Sequence, residues 1–180
     1  MFGNVPRTGL GGFGEIACAP SYASGAERMG RMNVDAGALA EIVAASIDPD
    51  TDSIIDVRSL DLDGDARDEL TRVLRSHGVH VVQLKAGSHP SDREIISALD
   101  VGFSFPSYFG DNWDAVNECL LHLDQWLDAR AFACVVTGTA RFEEQNREAL
   151  GILRDLFSDA AQYWREDADV SPIAFKLVLT

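Results

Sequence analysis

Apolar residues are arranged along this chain in two alternating ways. Short unbroken apolar runs are typical of buried β-strands, and they lie at residues 54–57, 79–84, 132–137 and 173–179. Between these runs, apolar residues recur at helical spacing in the segments 65–77, 91–100, 112–123 and 143–166. Strands that are separated by helices predict an α/β fold with a mainly parallel sheet.

Local signals mark the ends of several of these elements. Gly78 follows the first helical segment and is a natural C-terminal stop. Ser91 and Glu94 have the spacing of a capping box, in which two side chains satisfy free backbone amides at a helix start. Val116 and Leu120 begin an apolar stripe that predicts one buried face on the following helix.

The beginning of the chain differs from the rest. Residues 1–30 are rich in Gly, Pro and Ser and have few periodic apolar positions, which indicates a disordered or loosely attached segment. A short helix is predicted near residues 34–46. We therefore expect a partly disordered N-terminal extension at 1–50 and a folded domain at 51–180 that includes a β-α unit at 54–77.

The net charge narrows the classes of partner. The chain has 180 residues, of which 29 are Asp or Glu and 15 are Lys or Arg, so its net charge is −14. Such a chain repels nucleic acids and anionic membranes and attracts basic proteins. Acidity that serves only solubility is the alternative interpretation. Sparse cysteines and the lack of a long apolar run or a basic leader predict a cytoplasmic protein.

Three features that could hold a ligand are not supported by their context. The segment Gly9 to Gly14 matches the glycine pattern of dinucleotide-binding loops, but no predicted strand precedes it and no helix follows it. Asp61 begins a segment that resembles a calcium loop, yet Gly64 is too early for that loop. The four histidines lack partners at metal-ligand spacing. We expect no metal and no cofactor.

The segment from Tyr108 to Leu123 concentrates the remaining candidate chemistry. Asp114 and Glu118 are four residues apart, so both carboxylates lie on one exposed face of the predicted helix. Asn117 lies beside them, and Asp111 lies at the helix entrance, where the helix dipole stabilises an anion.

Two further observations favour a contact surface at this segment. No Lys or Arg occurs between Arg93 and Arg130, so the acids have no basic neighbour in sequence. Exposed Tyr108 and Trp113 beside such charges are typical of a binding hot spot. The alternative is a solvated acidic face with Trp113 in the core. Catalysis by the paired carboxylates is not expected, because adjacent turns of one surface helix make a poor cleft.

The residues Y-F-G-D-N-W-D-A-V-N-E-C-L, from Tyr108 to Leu120, resemble the signature of the barstar family of ribonuclease inhibitors. The order of the elements is also similar over residues 79–180, from the first strand through the recognition helix to the last strand. The resemblance implies a small parallel three-stranded sheet packed against helices. The β-α unit at 54–77 is then an addition that supplies an edge strand or supports the sheet.

The resemblance also implies a function. A member of this family binds and blocks the active site of a small basic guanyl-type ribonuclease of the extracellular type, in a one-to-one complex and without catalysis. The family's contact positions fall on Tyr108, Asn112, Trp113, Asp114, Asn117 and Glu118, with Asp159 in the late helix as a looser match.

Three positions depart from the family's pattern. Glu118 stands where the best-known member has a central aspartate, Asn117 replaces an aromatic contact, and Trp113 replaces a leucine. These departures leave open which ribonuclease is recognised. The alternatives are an interaction module of the same fold for another basic protein or toxin and, less favoured, a carboxylate- or metal-dependent enzyme.

Overall fold

A four-stranded parallel sheet is the centre of the fold. The computed structural model describes residues 36–85, 90–167 and 171–180. The strands are β1 (Ile54–Asp56), β2 (Val79–Lys85), β3 (Ala131–Thr137) and β4 (Ala174–Leu179). Their order across the sheet is β1-β4-β3-β2, and all three pairings are parallel.

Helices cover both faces of this sheet. They are α1 (Ala36–Ile47), α2 (Gly64–Ser76), α3 (Asp92–Phe103), α4 (Trp113–Leu120), α5 (Thr139–Gln145) and α6 (Arg147–Gln162). Short 3-10 turns at Arg58–Leu60 and Leu123–Gln125 and a π-helical turn at Tyr163–Asp167 complete the described elements. None of the helices within the described residues is long and apolar enough to cross a membrane.

The two faces of the sheet bury two separate hydrophobic cores. The main core lies between the sheet and α3, α4, α5 and α6, and it contains Phe103, Phe157 and Trp164. The second core lies between the sheet and α1 and α2, and it contains aliphatic residues such as Ile42 and Leu70. Alternation along each strand produces this arrangement, because successive side chains point to opposite faces.

The predicted fold class is confirmed. The structure is an α/β fold with a parallel sheet, and β2, β3 and β4 are the three strands that the resemblance implies. The additional β-α unit supplies β1, which pairs with β4 and forms an edge strand. The capping box at Ser91 and Glu94 is present at the start of α3.

The predicted long helix over residues 143–166 is wrong in one respect, because the structure divides it. Asn146 adopts φ −147° and ψ 68°, which is not helical, so α5 ends at Gln145 and α6 begins at Arg147. The side chain of Asn146 accepts a hydrogen bond from the backbone amide of Ala149 at 3.1 Å. Asparagine favours this capping role over a place inside a helix. Regular α-helix also ends at Gln162, before the π-helical turn.

The predicted short helix near residues 34–46 is present as α1, and its residues Leu39, Ile42 and Val43 lie in the second core. The disorder expected for residues 1–30 and the glycine motif at Gly9 to Gly14 lie outside the described residues. The domain division at residue 50 therefore stays a prediction.

Candidate partner-binding surface

In the loop before α4, one aromatic side chain packs against the core while its neighbour points outward. Phe109 packs on Phe105 with 4.9 Å between ring centroids, and its backbone amide donates to the carbonyl of Pro106 at 2.9 Å. Phe105 is buried in the main core, so this contact anchors the loop to the core. Tyr108 points away and keeps 74% of its surface exposed. A large aromatic ring held outside a rigid loop is suited to contact with another protein.

The start of α4 is fixed by its own side chains. Asn112 is the N-cap, and its Oδ1 accepts a hydrogen bond from the amide of Ala115 at 2.9 Å. Its Nδ2 donates to the carbonyl of Gly110 at 3.1 Å. Asp111 adopts a positive φ of 54°, a conformation that short acidic and amide residues tolerate better than most. Asn112, predicted as a contact residue, is therefore engaged mainly within its own loop.

The acidic residues of α4 and of the loop before it face solvent. Asp111, Asp114 and Glu118 are all exposed. Within the described part of the chain, neither Asp111 nor Asp114 forms an ion pair, and Glu118 has only His122, with 4.0 Å between Oε1 and Nδ1. Among the described residues, Asp111 and Asp114 thus have no ion-pair partner, as their distance in sequence from any Lys or Arg indicated. Two carboxylates without counter-charges, one in the loop before α4 and one in its first turn, form a locally anionic surface.

Trp113 does not have the exposure that was expected for it. It is half-buried and packs against the main core, and its Nε1 donates a hydrogen bond to Oδ2 of Asp92 at 3.1 Å. The alternative interpretation, a tryptophan inside the core, is not correct either, because Trp113 lies at the border of the core. Its indole N–H is used within the chain.

Asn117 is half-buried between these acids and the core. Its Oδ1 has no hydrogen-bond partner among the described residues although it is shielded from solvent. On the buried side of the same helix, burial, with the nearby charges of Glu118 and Asp100, raises the pKa of the Cys119 thiol. Cys119 therefore stays protonated and serves as a small core residue.

The later helix α6 adds a further acid on the same side of the sheet. Asp159 is exposed on α6, and α4 and α6 both border the main core. The end of α4 is joined to the turn after α6, since Nε1 of Trp164 donates to the carbonyl of Leu120 at 2.9 Å. This bond is buried and fixes the two helices relative to each other at that end.

The acidic side chains of this surface are exposed to solvent. The described residues contain no group of three or more His, Cys, Asp or Glu side chains that could hold a metal ion. A groove of about 1100 Å³ runs along the outer edge of β2, between residues such as Arg75 and Arg93, and none of the predicted contact residues lines it. Such an exposed surface suits a macromolecular partner better than a small molecule.

One residue of the site was not found from the sequence. Asp92 lies 21 positions before Trp113 and touches it only because α3 and α4 start next to each other. No periodicity links the two residues. The available signal was weak: an acidic residue directly after the N-cap Ser91 is expected at any helix start.

Comparison with known proteins agrees with this geometry. The model of the family described as barstar (barnase inhibitor) matches residues 79–179, which comprise β2, α3, α4, β3, α5, α6 and β4. No curated protein sequence matches the chain. The matched region is more than half of the 180 residues, and it contains the loop and helix that carry the acidic surface. The chain therefore belongs to the barstar (barnase inhibitor) family.

Proposed function

We propose that this chain is a cytoplasmic inhibitor that binds and blocks the active site of a small basic guanyl-type ribonuclease and so protects the cell that makes it. The family to which it belongs consists of inhibitors and not of enzymes. The observation that carries the proposal is the pair of exposed carboxylates on α4, Asp114 and Glu118, neither of which has a Lys or Arg partner among the described residues.

The chemistry of the partner explains why such a surface inhibits. A ribonuclease must gather Arg, Lys and His side chains to hold the phosphates of RNA. Carboxylates that enter the same site accept charge-assisted hydrogen bonds from those cations and occupy the place of the phosphate oxygens. The net charge of −14 accelerates encounter with a basic partner. Nothing is hydrolysed in this mechanism, so it requires no cofactor.

The predicted contact residues divide into two groups by their geometry. Tyr108, Asp114, Glu118 and Asp159 are exposed and available to a partner. Asn112, Trp113 and Asn117 lie within the same loop and helix and are exposed to different degrees. We propose that the first group supplies the strongest contacts and that the second group shapes the surface.

A charge-reversal experiment tests this proposal. The chain is mixed with a panel of basic ribonucleases, and RNA cleavage and the stoichiometry of the complex are measured at low salt. We expect one-to-one inhibition that is lost in the double variant Asp114→Lys with Glu118→Lys. Each removed charge-assisted hydrogen bond weakens binding about 10-fold to 100-fold.

The matched control carries the same change in net charge at another place. Glu41 and Asp68 are exposed on α1 and α2, which cover the other face of the sheet. The variant Glu41→Lys with Asp68→Lys is expected to retain inhibition, with only a slower association rate. If the α4 variant still inhibits as well as this control does, the acidic surface is not the binding site.

A second candidate function follows from the residues that depart from the family's pattern. Asn117 replaces an aromatic contact, and its Oδ1 lacks a partner among the described residues. Glu118 places its carboxylate one methylene further out than an aspartate. These differences favour a target that is a different basic protein or toxin. Binding to such a protein without any effect on RNA cleavage would support this alternative.

A further inference from the structure

One carboxylate connects the starts of three helices. Asp92 is the first residue of α3, Trp113 is the first residue of α4, and Asn146 is the N-cap of α6. Oδ2 of Asp92 accepts from Nε1 of Trp113 at 3.1 Å, and Oδ1 accepts from Nδ2 of Asn146 at 3.1 Å. The two oxygens of Asp92 are therefore occupied by two different helices.

Asn146 is also fully engaged. Its Nδ2 donates to the carbonyl of Pro90 at 3.0 Å, and its Oδ1 accepts from the amide of Ala149 at 3.1 Å. A reversed amide would place Oδ1 against two acceptors and would lose the cap of α6. The orientation of the Asn146 amide is thus determined. Because its Nδ2 faces residue 92, the side chain at position 92 must accept a hydrogen bond.

These contacts act on the helices that carry the acidic surface. Trp113 is directly followed by Asp114, so a rotation of α4 about its axis moves the indole and the carboxylate together. α6 carries Asp159. The bond between Trp164 and Leu120 joins the other end of α4 to the turn after α6. α4 is consequently held at both ends.

We infer that Asp92 is a positioning residue of the acidic surface: it fixes α4 through Trp113 and α6 through Asn146, so that Asp114 and Glu118 are presented in one orientation. This inference rests on the proposed function. It assigns Trp113 an internal role, in which the indole N–H orients the helix and does not contact the partner. An orientation that is fixed before binding reduces the entropy lost when the complex forms.

The substitution Asp92→Asn tests the inference because it changes hydrogen-bonding capacity and keeps the shape of the side chain. A carboxylate accepts from both Trp113 and Asn146, whereas an amide accepts with one atom and donates with the other. One of the two N–H donors then faces another donor. We expect ribonuclease binding about 10-fold weaker than in the control Asp68→Asn, which removes an equal charge on α2.

A compensating substitution separates positioning from a general loss of stability. In Asp92→Asn with Asn146→Asp, the new amide accepts from Trp113 and donates to the new carboxylate, which still caps α6. This double variant has the same net charge as the original chain. Asn146→Asp also loses the hydrogen bond to the carbonyl of Pro90, so we expect the double variant to recover part, but not all, of the affinity that Asp92→Asn loses. Trp113→Phe removes the indole N–H donor and is expected to weaken binding by itself. In a chain that carries Trp113→Phe, Asp92→Asn should weaken binding by a smaller factor than it does in the original chain.

A measurement without any partner keeps the inference distinct from the proposed function. Hydrogen exchange by NMR reports the indole N–H of Trp113 and the first amides of α4 and α6. We expect faster exchange in Asp92→Asn and slower exchange again in the compensated double variant. If exchange in Asp92→Asn equals that in Asp68→Asn, the inference is overturned, whether or not a ribonuclease binds. If exchange changes as expected but the chain binds no ribonuclease, the positioning role stands and the proposed function fails.

Discussion

The two faces of the sheet differ in composition and in task. The main core is rich in aromatic residues: the ring centroid of Phe175 lies 6.3 Å from that of Phe103 and 5.8 Å from that of Phe132. The second core, as far as the structure describes it, consists of aliphatic and small residues. The acidic surface lies on helices of the main core only. Stability therefore depends on both faces, whereas the proposed binding depends on one.

The small residues of the second face explain how the N-terminal segment fits. Ala131, Ala133 and Ala174 point to this face from β3 and β4, and all three are buried. Short side chains allow α1 and α2 to approach the sheet closely. These alanines belong to the region that matches the family, whereas both helices precede it. The helices α1 and α2 thus cover one of the two faces of the sheet.

The largest expected effect comes from removing the helices of the second core, which tests whether stability depends on both faces of the sheet. A chain that begins at Val79 keeps every element that matches the family but loses α1, β1 and α2. We expect it to be unfolded or molten in circular dichroism and NMR spectra, because one apolar face of the sheet becomes exposed to water. Each large apolar side chain that is no longer buried costs about 1.5 to 3 kcal/mol, against the roughly 5 to 15 kcal/mol that stabilises a typical domain.

A chain that begins at Met32 is the matched control, since it retains all of the described elements. We expect it to unfold cooperatively in thermal melts. A cooperative transition in the Val79 chain at a similar temperature would show that the two faces are independent and would refute the comparison.

The sequence was sufficient to predict the order of the elements because each strand and helix has its own periodicity. It also predicted the start of α4, where the capping residue Asn112 stands before an apolar stripe. Which helices cover which face was not predictable in the same way. The strand β2 is apolar on both faces, with Val81 in the second core and Val82 in the main core. Such an apolar run indicates that both faces of the sheet are covered, but it does not indicate which helices cover each face.

The site was less predictable than the fold because its geometry depends on contacts between separate elements. Asp114 and Glu118 were identified from their spacing on one helix, and both are exposed as expected. The half-burial of Trp113 depends on Asp92 in another helix, and the break at Asn146 interrupts an apolar stripe that continues through it. Both features depend on contacts between elements that are distant in sequence, so the local sequence pattern could not predict them.

Lys176 offers a smaller test, because it is a buried charge on the second face. It lies in β4 with 1% of its surface exposed, and its Nζ donates to the carbonyl and the Oγ1 of Thr51 at 2.7 and 2.9 Å. A further bond reaches the carbonyl of Asp52 at 3.2 Å. Lys176→Ala leaves a cavity and an unpaired carbonyl, so we expect a loss of about 2 to 4 kcal/mol in the free energy of unfolding. Ribonuclease binding is expected to be unchanged.

The pH dependence of Lys176 gives an independent check. Burial lowers the pKa of this ammonium group below its ordinary value of 10.5, although nearby Asp48 opposes the change. Between the lowered pKa and the ordinary one, the unfolded chain binds more protons than the folded chain. The contribution of Lys176 to the free energy of unfolding therefore rises with pH in that interval. Denaturant melts at increasing alkaline pH should show the original chain gaining stability relative to Lys176→Met; a constant difference would contradict the assignment.

The smallest expected effect concerns Arg58, which connects the N-terminal segment to α5 on the side of the main core. It follows β1, and its two terminal nitrogens pair with Asp56 and with Glu143 of α5, each at 2.6 Å. Arg58→Met should lower the melting temperature by about 2 °C or less, because partly exposed ion pairs stabilise weakly. The matched control is Arg72→Met, which breaks a pair with Glu69 inside α2.

The pH at which this effect disappears identifies its cause. The hydrogen bonds from Arg58 lower the pKa of Asp56 and of Glu143 below their ordinary values of 3.8 and 4.5. Groups with a lowered pKa in the folded chain stabilise it above the ordinary pKa, and they lose this contribution as the pH falls through the lowered one. The difference between the original chain and Arg58→Met should thus persist at neutral pH and vanish in strong acid. A difference that remained in strong acid would mean that Arg58 acts by packing between the two regions and not by its charge.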